Sequence, residues 1–429
     1  MDKRKGSALP LTLSVLLVVY VFNFLDRQIV AILAEPIARD LGLNDTEIGL
    51  LTGLSFALFY SALGIPIARL ADRPSTDRIK LMAAALAVWS LATALCGASR
   101  TFVQLLIARV FVGVGEAGGT PPAHTLITDL TTPENRARAF GLYQLGPPIG
   151  GLIGMVLGGF LADGVGWRMA FVVVGVPGIL LAILVVFLLR DPRRAGPAAP
   201  GTRPAAAALP FGEAFGQIMA SRAMRLLLLV AGLASFATYG ITIWTTIFFQ
   251  RSHGLTAAET GLWFGLVNGL ASILGVWLGG QIGDRHRKQG KQHLLTVPAA
   301  ALALGVPFLL TALTVPDWRL AMVLLFPATV LNWIYVAPYY SSVQGLVPPA
   351  ARAVASASIL LTQNLIGLGL GPVLLGYCSD LLKPTYGTES VRYVLFIAGL
   401  VSLAAGILLW RARKYLPDEL DRYAETAPA

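Results

Sequence analysis

Charge is scarce in this chain. Asp, Glu, Lys and Arg make up 13% of its 429 residues, against about 25% in an ordinary soluble domain. A water-soluble protein of this length needs more polar surface, so the chain falls in the membrane class. Cysteine is nearly absent. Cys96 and Cys378 allow one bridge at most, and the expectation is two buried thiols acting as small hydrophobes. The four histidines, at 124, 253, 286 and 293, have no metal-ligand spacing. No GxxxxGK[ST] phosphate loop occurs. A metalloenzyme or a self-contained ATPase is therefore poorly supported, and no cofactor is expected. The net charge of +10 lies in short stretches between apolar runs rather than on an accessible domain, which argues against a nucleic-acid partner.

Long apolar runs are abundant. They recur near the ~20 residues a helix needs to cross a bilayer core, and many glycines and prolines lie inside them. Spans are expected near 11–34, 47–70, 79–99, 102–126, 138–161 and 168–189, then near 223–249, 258–281, 292–313, 318–344, 353–379 and 390–410. The first keeps Asp26 and Arg27 and has no obvious small-residue cleavage site, so it reads as a retained helix rather than a signal peptide. The expected organisation is a six-helix half over 1–189, a linker over 190–222, a second half over 223–411 and a tail over 412–429. Within the linker, Phe211 to Met219 suits a short helix on the membrane surface. Sorting the 33 Lys and Arg by side leaves seven opposite the N-terminus: Arg39, Arg100, Arg168, Arg251, Arg319, Lys383 and Arg392. Basic residues favour the cytoplasmic side, so both termini and the linker are expected there.

Four charges fall where lipid does not tolerate them. Asp26 and Arg27 sit within the first span, Arg109 and Glu116 within the fourth. Such residues face the protein interior or a water-filled cavity. Asn23 shares a face with Asp26. Arg109 and Glu116 lie seven residues apart, about 10 Å along one face, too far to pair, so each needs a partner elsewhere. Two readings stand. The acids act as proton sites, with the arginines as charge partners or headgroup ligands, or the four form a structural ion-pair cluster. The second half has no matching charges. Its polar residues Tyr239, Asn268, Asn332, Tyr339, Gln363 and Asn364 suit a partly apolar pocket. The fifth span is rich in glycine and proline from Gly146 to Gly159, which suits either tight packing or a pliable contact between the halves. Asp72-Arg73 follows the second span and Asp284-Arg285 the eighth. These turns suit a cytoplasmic gate, or a simpler role in fixing topology.

Gly280-Gln281-Ile282-Gly283-Asp284-Arg285 resembles the cytoplasmic signature of the major facilitator superfamily, from which the first-half copy departs at Ala68 and at Pro74 to Arg78. Asn23-Phe24-Leu25-Asp26-Arg27 and the run from Ala108 to Ala117, with Glu116, resemble the first- and fourth-span motifs of its Spinster family of lipid transporters. Thr128-Asp129-Leu130 followed by Arg136-Ala137-Arg138 resembles the loop after them. The resemblance implies an all-α major facilitator fold of twelve helices in two six-helix halves, and a monomer in a bacterial inner membrane. It implies a proton-coupled antiporter that exports a lysophospholipid or sphingolipid-like amphiphile with an anionic head. A small organic-anion transporter of the same superfamily is the alternative.

Overall fold

The computed structural model describes residues 3–73, 75–194, 211–287 and 293–425. Every regular element in them is helical. Among the described residues, ten helical stretches are long and apolar enough to cross a membrane: α1 (Leu9–Leu41), α2 (Asp45–Asp72), α3 (Arg78–Gly97), α4 (Phe102–Leu130), α5 (Arg138–Leu188), α7 (Arg222–Ser252), α8 (Ala257–Gly283), α9 (His293–Thr314), α10 (Trp318–Gly345) and α11 (Val354–Ala412). Two shorter helices are α6 (Phe211–Ala220) and α12 (Leu416–Glu425). Large apolar side chains are exposed along the long helices, among them Phe187, Val323 and Leu381. In water such a surface is an aggregation liability; in hydrocarbon it is the stable state.

The chain forms two compact units. One comprises Met1–Pro200 with Gly254–Leu266, the other Gly201–His253 with Val267–Ala429. The core of the first gathers Leu25, Ile29, Ile32, Leu51, Leu105, Trp167 and Phe171. That of the second gathers Met224, Leu227, Leu295, Tyr339, Leu346 and Leu409.

Positive backbone φ angles occur only at glycine among the described residues: Gly42, Gly166, Gly254 and Gly387. They form two like pairs. Gly166 breaks α5, and Gly387 breaks α11. Gly42 precedes α2 and Gly254 precedes α8. There the local sequences match, Gly42-Leu43-Asn44-Asp45-Thr46-Glu47-Ile48-Gly49-Leu50 against Gly254-Leu255-Thr256-Ala257-Ala258-Glu259-Thr260-Gly261-Leu262. The chemistry matches too. Asn44 and Glu47 form a reciprocal capping box, and Thr256 and Glu259 form another. This nine-residue repeat is a fuller internal echo than the two Asp-Arg turns.

The fifth-span glycines pack α5 on α1. Gly146, Gly150, Gly154 and Gly158 recur every four residues, so they share one face. A side chain at each meets Tyr20, Val21, Leu25 or Ile29 of α1. Gly159 instead faces the backbone of Ala257, and Gly261 that of Met155. Close approach between helices is what a repeat of small residues permits.

The short helices are packed elements. On α6, Ala214 and Ile218 are fully buried in the core of the second unit, leaving Phe215 and Met219 exposed. On α12, Leu416 is buried, and the Glu419 carboxylate accepts the backbone N–H groups of Arg222 and Ala223 and the hydroxyl of Ser221. It satisfies the orphan donors at the start of α7.

The α1–α5 contact yields a stability prediction. Gly150→Val drives a side chain into the Val21 carbonyl, whereas Gly151→Ala meets only Gln28 Cγ at 3.7 Å. Overpacking costs about 1–3 kcal/mol, so Gly150→Val is expected to lower the thermal midpoint of the purified protein while Gly151→Ala leaves it near that of the parent. Equal midpoints in both variants contradict the packing.

Candidate functional site

The charged residues of α1 and α4 come together in the first unit. Asn23, Asp26, Arg109 and Glu116 are all buried, and Glu116 has no exposed surface. The Arg27 Nε donates to Glu116 Oε2 at 2.7 Å, with the Arg27 side chain 15% exposed. Arg109 forms no ion pair with an acid among the described residues. Its Nε donates to the Leu51 carbonyl at 3.4 Å. Leu51 lies in a π-helical stretch of α2, Leu50–Leu54, where the wider turn marks a break in the regular ladder.

Aromatic rings take the place of water around the cations. The Arg27 guanidinium carbon stands 5.0 Å from the ring centre of Phe24, 4.6 Å from Phe56 and 4.7 Å from Tyr60. Phe56 also lies 5.7 Å from the Arg109 guanidinium, so one ring faces both. Such contacts strengthen when desolvated.

Two glycines bring the acid into place. A Cβ at Gly113 falls 2.8 Å from the Phe56 carbonyl, and one at Gly115 falls 2.6 Å from the Trp89 nitrogen. The glycines between Arg109 and Glu116 therefore let α4 press on α2 and α3 at once. Asp26 lies in the field of Glu116 and Arg109, beside Trp89 and Thr93 of α3. Its Oδ1, the Glu116 Oε1 and the Asn23 Oδ1 are buried without hydrogen-bond partners among the described residues. Buried polar atoms are seldom left so. Of the two acids and two bases expected in one cluster, Arg27 and Glu116 are directly bonded among the described residues.

A second buried cluster escaped the sequence reading. Arg78, fully buried at the start of α3, holds Asp191 through Nη2 at 2.5 Å and Nε at 3.1 Å, and Asp129 through Nη1 at 2.7 Å. Arg193 adds a contact to Asp129 at 3.5 Å and a bond to the Ala71 carbonyl at 3.3 Å. Asp72 and Arg73, expected to act as the gate, are exposed and form no ion pair among the described residues. The ion pairs at this turn are made by Arg78 and Arg193. Arg285 is exposed as well, and the side chain of Asp284 lies outside the described residues.

In the second unit Asn332 donates to Thr238 Oγ1 at 3.0 Å, and the Tyr340 hydroxyl donates to Gln363 Oε1 at 2.8 Å. Tyr239, Asn268 and Asn364 are half-buried. Tyr339 is different. It has no exposed surface, and its hydroxyl donates to the Leu227 carbonyl at 3.1 Å. That is a core position, which corrects its assignment to a cavity.

The sequence profile of the Major Facilitator Superfamily matches residues 16–372. The chain belongs to that superfamily. It is 33% identical to an MFS-type efflux pump of Mycolicibacterium smegmatis, over 93% of this chain and 91% of the other. It is 24% identical to a sphingosine-1-phosphate transporter of Danio rerio, over 94% and 84%. The crystal structure of a bacterial homologue of the human lysosomal transporter Spinster, inward-facing and unoccupied, matches with a TM-score of 0.83 and 28% identity over 98% and 99% of the two chains. The protein is thus a multi-pass membrane transporter related to the Spinster family, not an enzyme.

The Arg78 cluster generates a pH prediction. Burial alone raises the Asp191 carboxyl, but hydrogen bonds from the Arg78 side chain and from the Arg78 and Arg193 backbones outweigh it and hold the group below its ordinary value. A depressed carboxyl stabilises the fold above the ordinary carboxylate range, and that contribution is lost as pH falls through its native value. Asp191→Asn is expected to lower the thermal midpoint at neutral pH, with the gap to the parent closing below about pH 4. A gap unchanged by acidification contradicts the assignment.

Proposed function

We propose that this chain is a proton-coupled exporter that carries a single-chain amphiphile across a bacterial inner membrane by alternating access. The observation that carries the reading is the buried Arg27–Glu116 pair, flanked by Asp26 and Arg109. Twelve spans are proposed from the ten stretches. A bilayer core takes ~20 helical residues, whereas α5 has 51 residues and α11 has 59. Each is long enough for two passes, and each turns at a positive-φ glycine. The capping repeat supports two like halves, over 1–189 and 223–411, with the linker and both termini in the cytoplasm.

Glu116 and Asp26 are the proposed proton carriers. A proton on Glu116 removes the charge that holds Arg27, so one site has two states that select different cavity shapes. The sign of coupling constrains the substrate. A purely anionic head binds best beside protonated acids, which makes proton and substrate travel together. Export driven by inward protons requires exchange instead. A head that carries an amine beside its phosphate satisfies this, because the amine competes with the proton for the carboxylates while the phosphate meets Arg27. Sphingosine-1-phosphate, named for one relative, has that chemistry, and so do amine-bearing lysophospholipids. Asn23, Tyr239, Asn268, Asn332, Gln363 and Asn364 are proposed to line the path, and Asp72, Arg73, Asp284 and Arg285 to act at the cytoplasmic turns. The efflux-pump relative supports the outward direction.

Reconstitution in sealed vesicles tests the reading. Under an imposed pH gradient the parent is expected to move a lysophospholipid, while Glu116→Gln and Asp26→Asn keep binding and lose the response to the gradient. An equal response in all three removes the acids from coupling. Saturable transport of short carboxylates, with none of the lysophospholipid, reverses the substrate class in favour of small organic anions.

A further inference from the structure

Beside their connecting turn, α3 and α4 line a groove. Its volume is about 640 Å³. Leu91 and Leu95 of α3 and Ile107 and Phe111 of α4 line it, each about half exposed. All four lie on helices that are long and apolar enough to span the membrane, so the medium against them is hydrocarbon. The α3 wall runs from Val88 to Ala98, about 15 Å at ~1.5 Å per residue. That is half of a ~30 Å bilayer core, the depth of one leaflet.

The end of the groove at the connecting turn is polar and positive. Arg100 is exposed in that turn, and its guanidinium has no acidic partner among the described residues. Gln104 lines the groove and accepts the Arg100 backbone N–H at 2.8 Å. That bond fixes the amide orientation and leaves its N–H₂ as a donor without a protein acceptor among the described residues. Arg100 is also one of the seven basic residues opposite the N-terminus, a side poor in positive charge. An arginine and an amide donor at the mouth of a leaflet-deep apolar groove match a phosphate with an attached acyl chain.

We propose that the α3–α4 groove holds one acyl chain of an anionic bilayer phospholipid, with its phosphate at Arg100 and Gln104. This site is separate from the buried Arg27–Glu116 pair, so its occupant is a bound lipid of the surrounding leaflet rather than the cargo. Two properties follow. The bound lipid is selected by its head through Arg100. It is retained by its chain through the apolar walls, so the two contributions can be removed independently.

Native mass spectrometry of the full chain, released from bilayers of phosphatidylglycerol and phosphatidylcholine in equal amounts, reads both. The parent is expected to retain one phosphatidylglycerol in preference to phosphatidylcholine. Arg100→Gln is expected to remove the preference while a lipid is still retained. Ala98→Phe and Ile107→Trp, two independent ways to fill the groove, are expected to remove the retained lipid of both kinds. Thermal midpoints near that of the parent establish that the variants fold. Retention without head preference in the parent, or undiminished retention in both filled variants, overturns the proposal. A dimer mass in place of a lipid adduct also overturns it, since a second copy then covers the groove. Proton-driven transport is expected to persist in all three variants, so failure here is distinguishable from failure of the coupling scheme.

Discussion

A guanidinium and a carboxylate taken out of water are stable only in each other's company. That constraint, placed on Arg27 and Glu116, governs how the first unit is built. Losing one partner strands the other charge, a cost of about 3–5 kcal/mol. The two helices that supply them must therefore meet within hydrogen-bond distance. Gly113 and Gly115 let α4 sink against α2 and α3 until Glu116 reaches α1. The glycine face of α5 holds α1 from another side. Phe24, Phe56 and Tyr60 sheathe the cation where water is excluded. Small residues, aromatic rings and one ion pair are thus parts of a single arrangement. The same bond that completes the packing is the one that we propose a proton releases.

The two units handle polarity differently. In the first it is carried by full charges, in the Arg27–Glu116 pair and in the Arg78 cluster with Asp129 and Asp191. In the second an ion pair, Arg392 with Glu389, is partly exposed, and the interior bonds include neutral dipoles, Asn332 with Thr238 and Tyr340 with Gln363. Neutral bonds of this kind have a modest net worth and re-form cheaply, which suits a surface that adapts to a variable chain. Buried ion pairs have discrete states, which suits a switch. Each unit also contains a π-helical stretch, at Leu50–Leu54 and at Gln363–Leu370. In the first that stretch carries the carbonyl that Arg109 bonds.

The helices were legible because scarcity of charge and length of apolar run are local properties. The expected span near 292–313 falls on His293–Thr314, and that near 79–99 on Arg78–Gly97. The importance of the charges within the spans was legible for the same reason, since lipid forbids them wherever they occur. The pairing was not. Arg27 and Glu116 stand 89 residues apart, and only the packing of α4 decides which base meets which acid. Arg78 figures in the sequence only as part of the departure from the signature at Pro74 to Arg78, because its burial depends on Asp191, 113 residues away. The signals for it, Asp129 and the Asp191-Pro192-Arg193-Arg194 run, were visible but looked like loop and linker. Tyr339 matched the chemistry of a cavity residue, yet its surroundings in the core of the second unit give its hydroxyl a backbone partner. The capping repeat at Gly42 and Gly254 is plain in the sequence and sits at the starts of α2 and α8, at the edges of the apolar runs rather than within them.

The central claim is that substrate and proton compete through Glu116. Proton exchange on binding reports it without any vesicle or gradient. In weakly buffered detergent solution, adding an amine-bearing lysophospholipid to the purified protein at a pH where Glu116 is partly protonated is expected to release protons. The same addition to Glu116→Gln is expected to release none while binding persists. Equal release from both proteins contradicts the account, as does uptake of protons by the parent, which assigns proton and substrate to the same leg of the cycle.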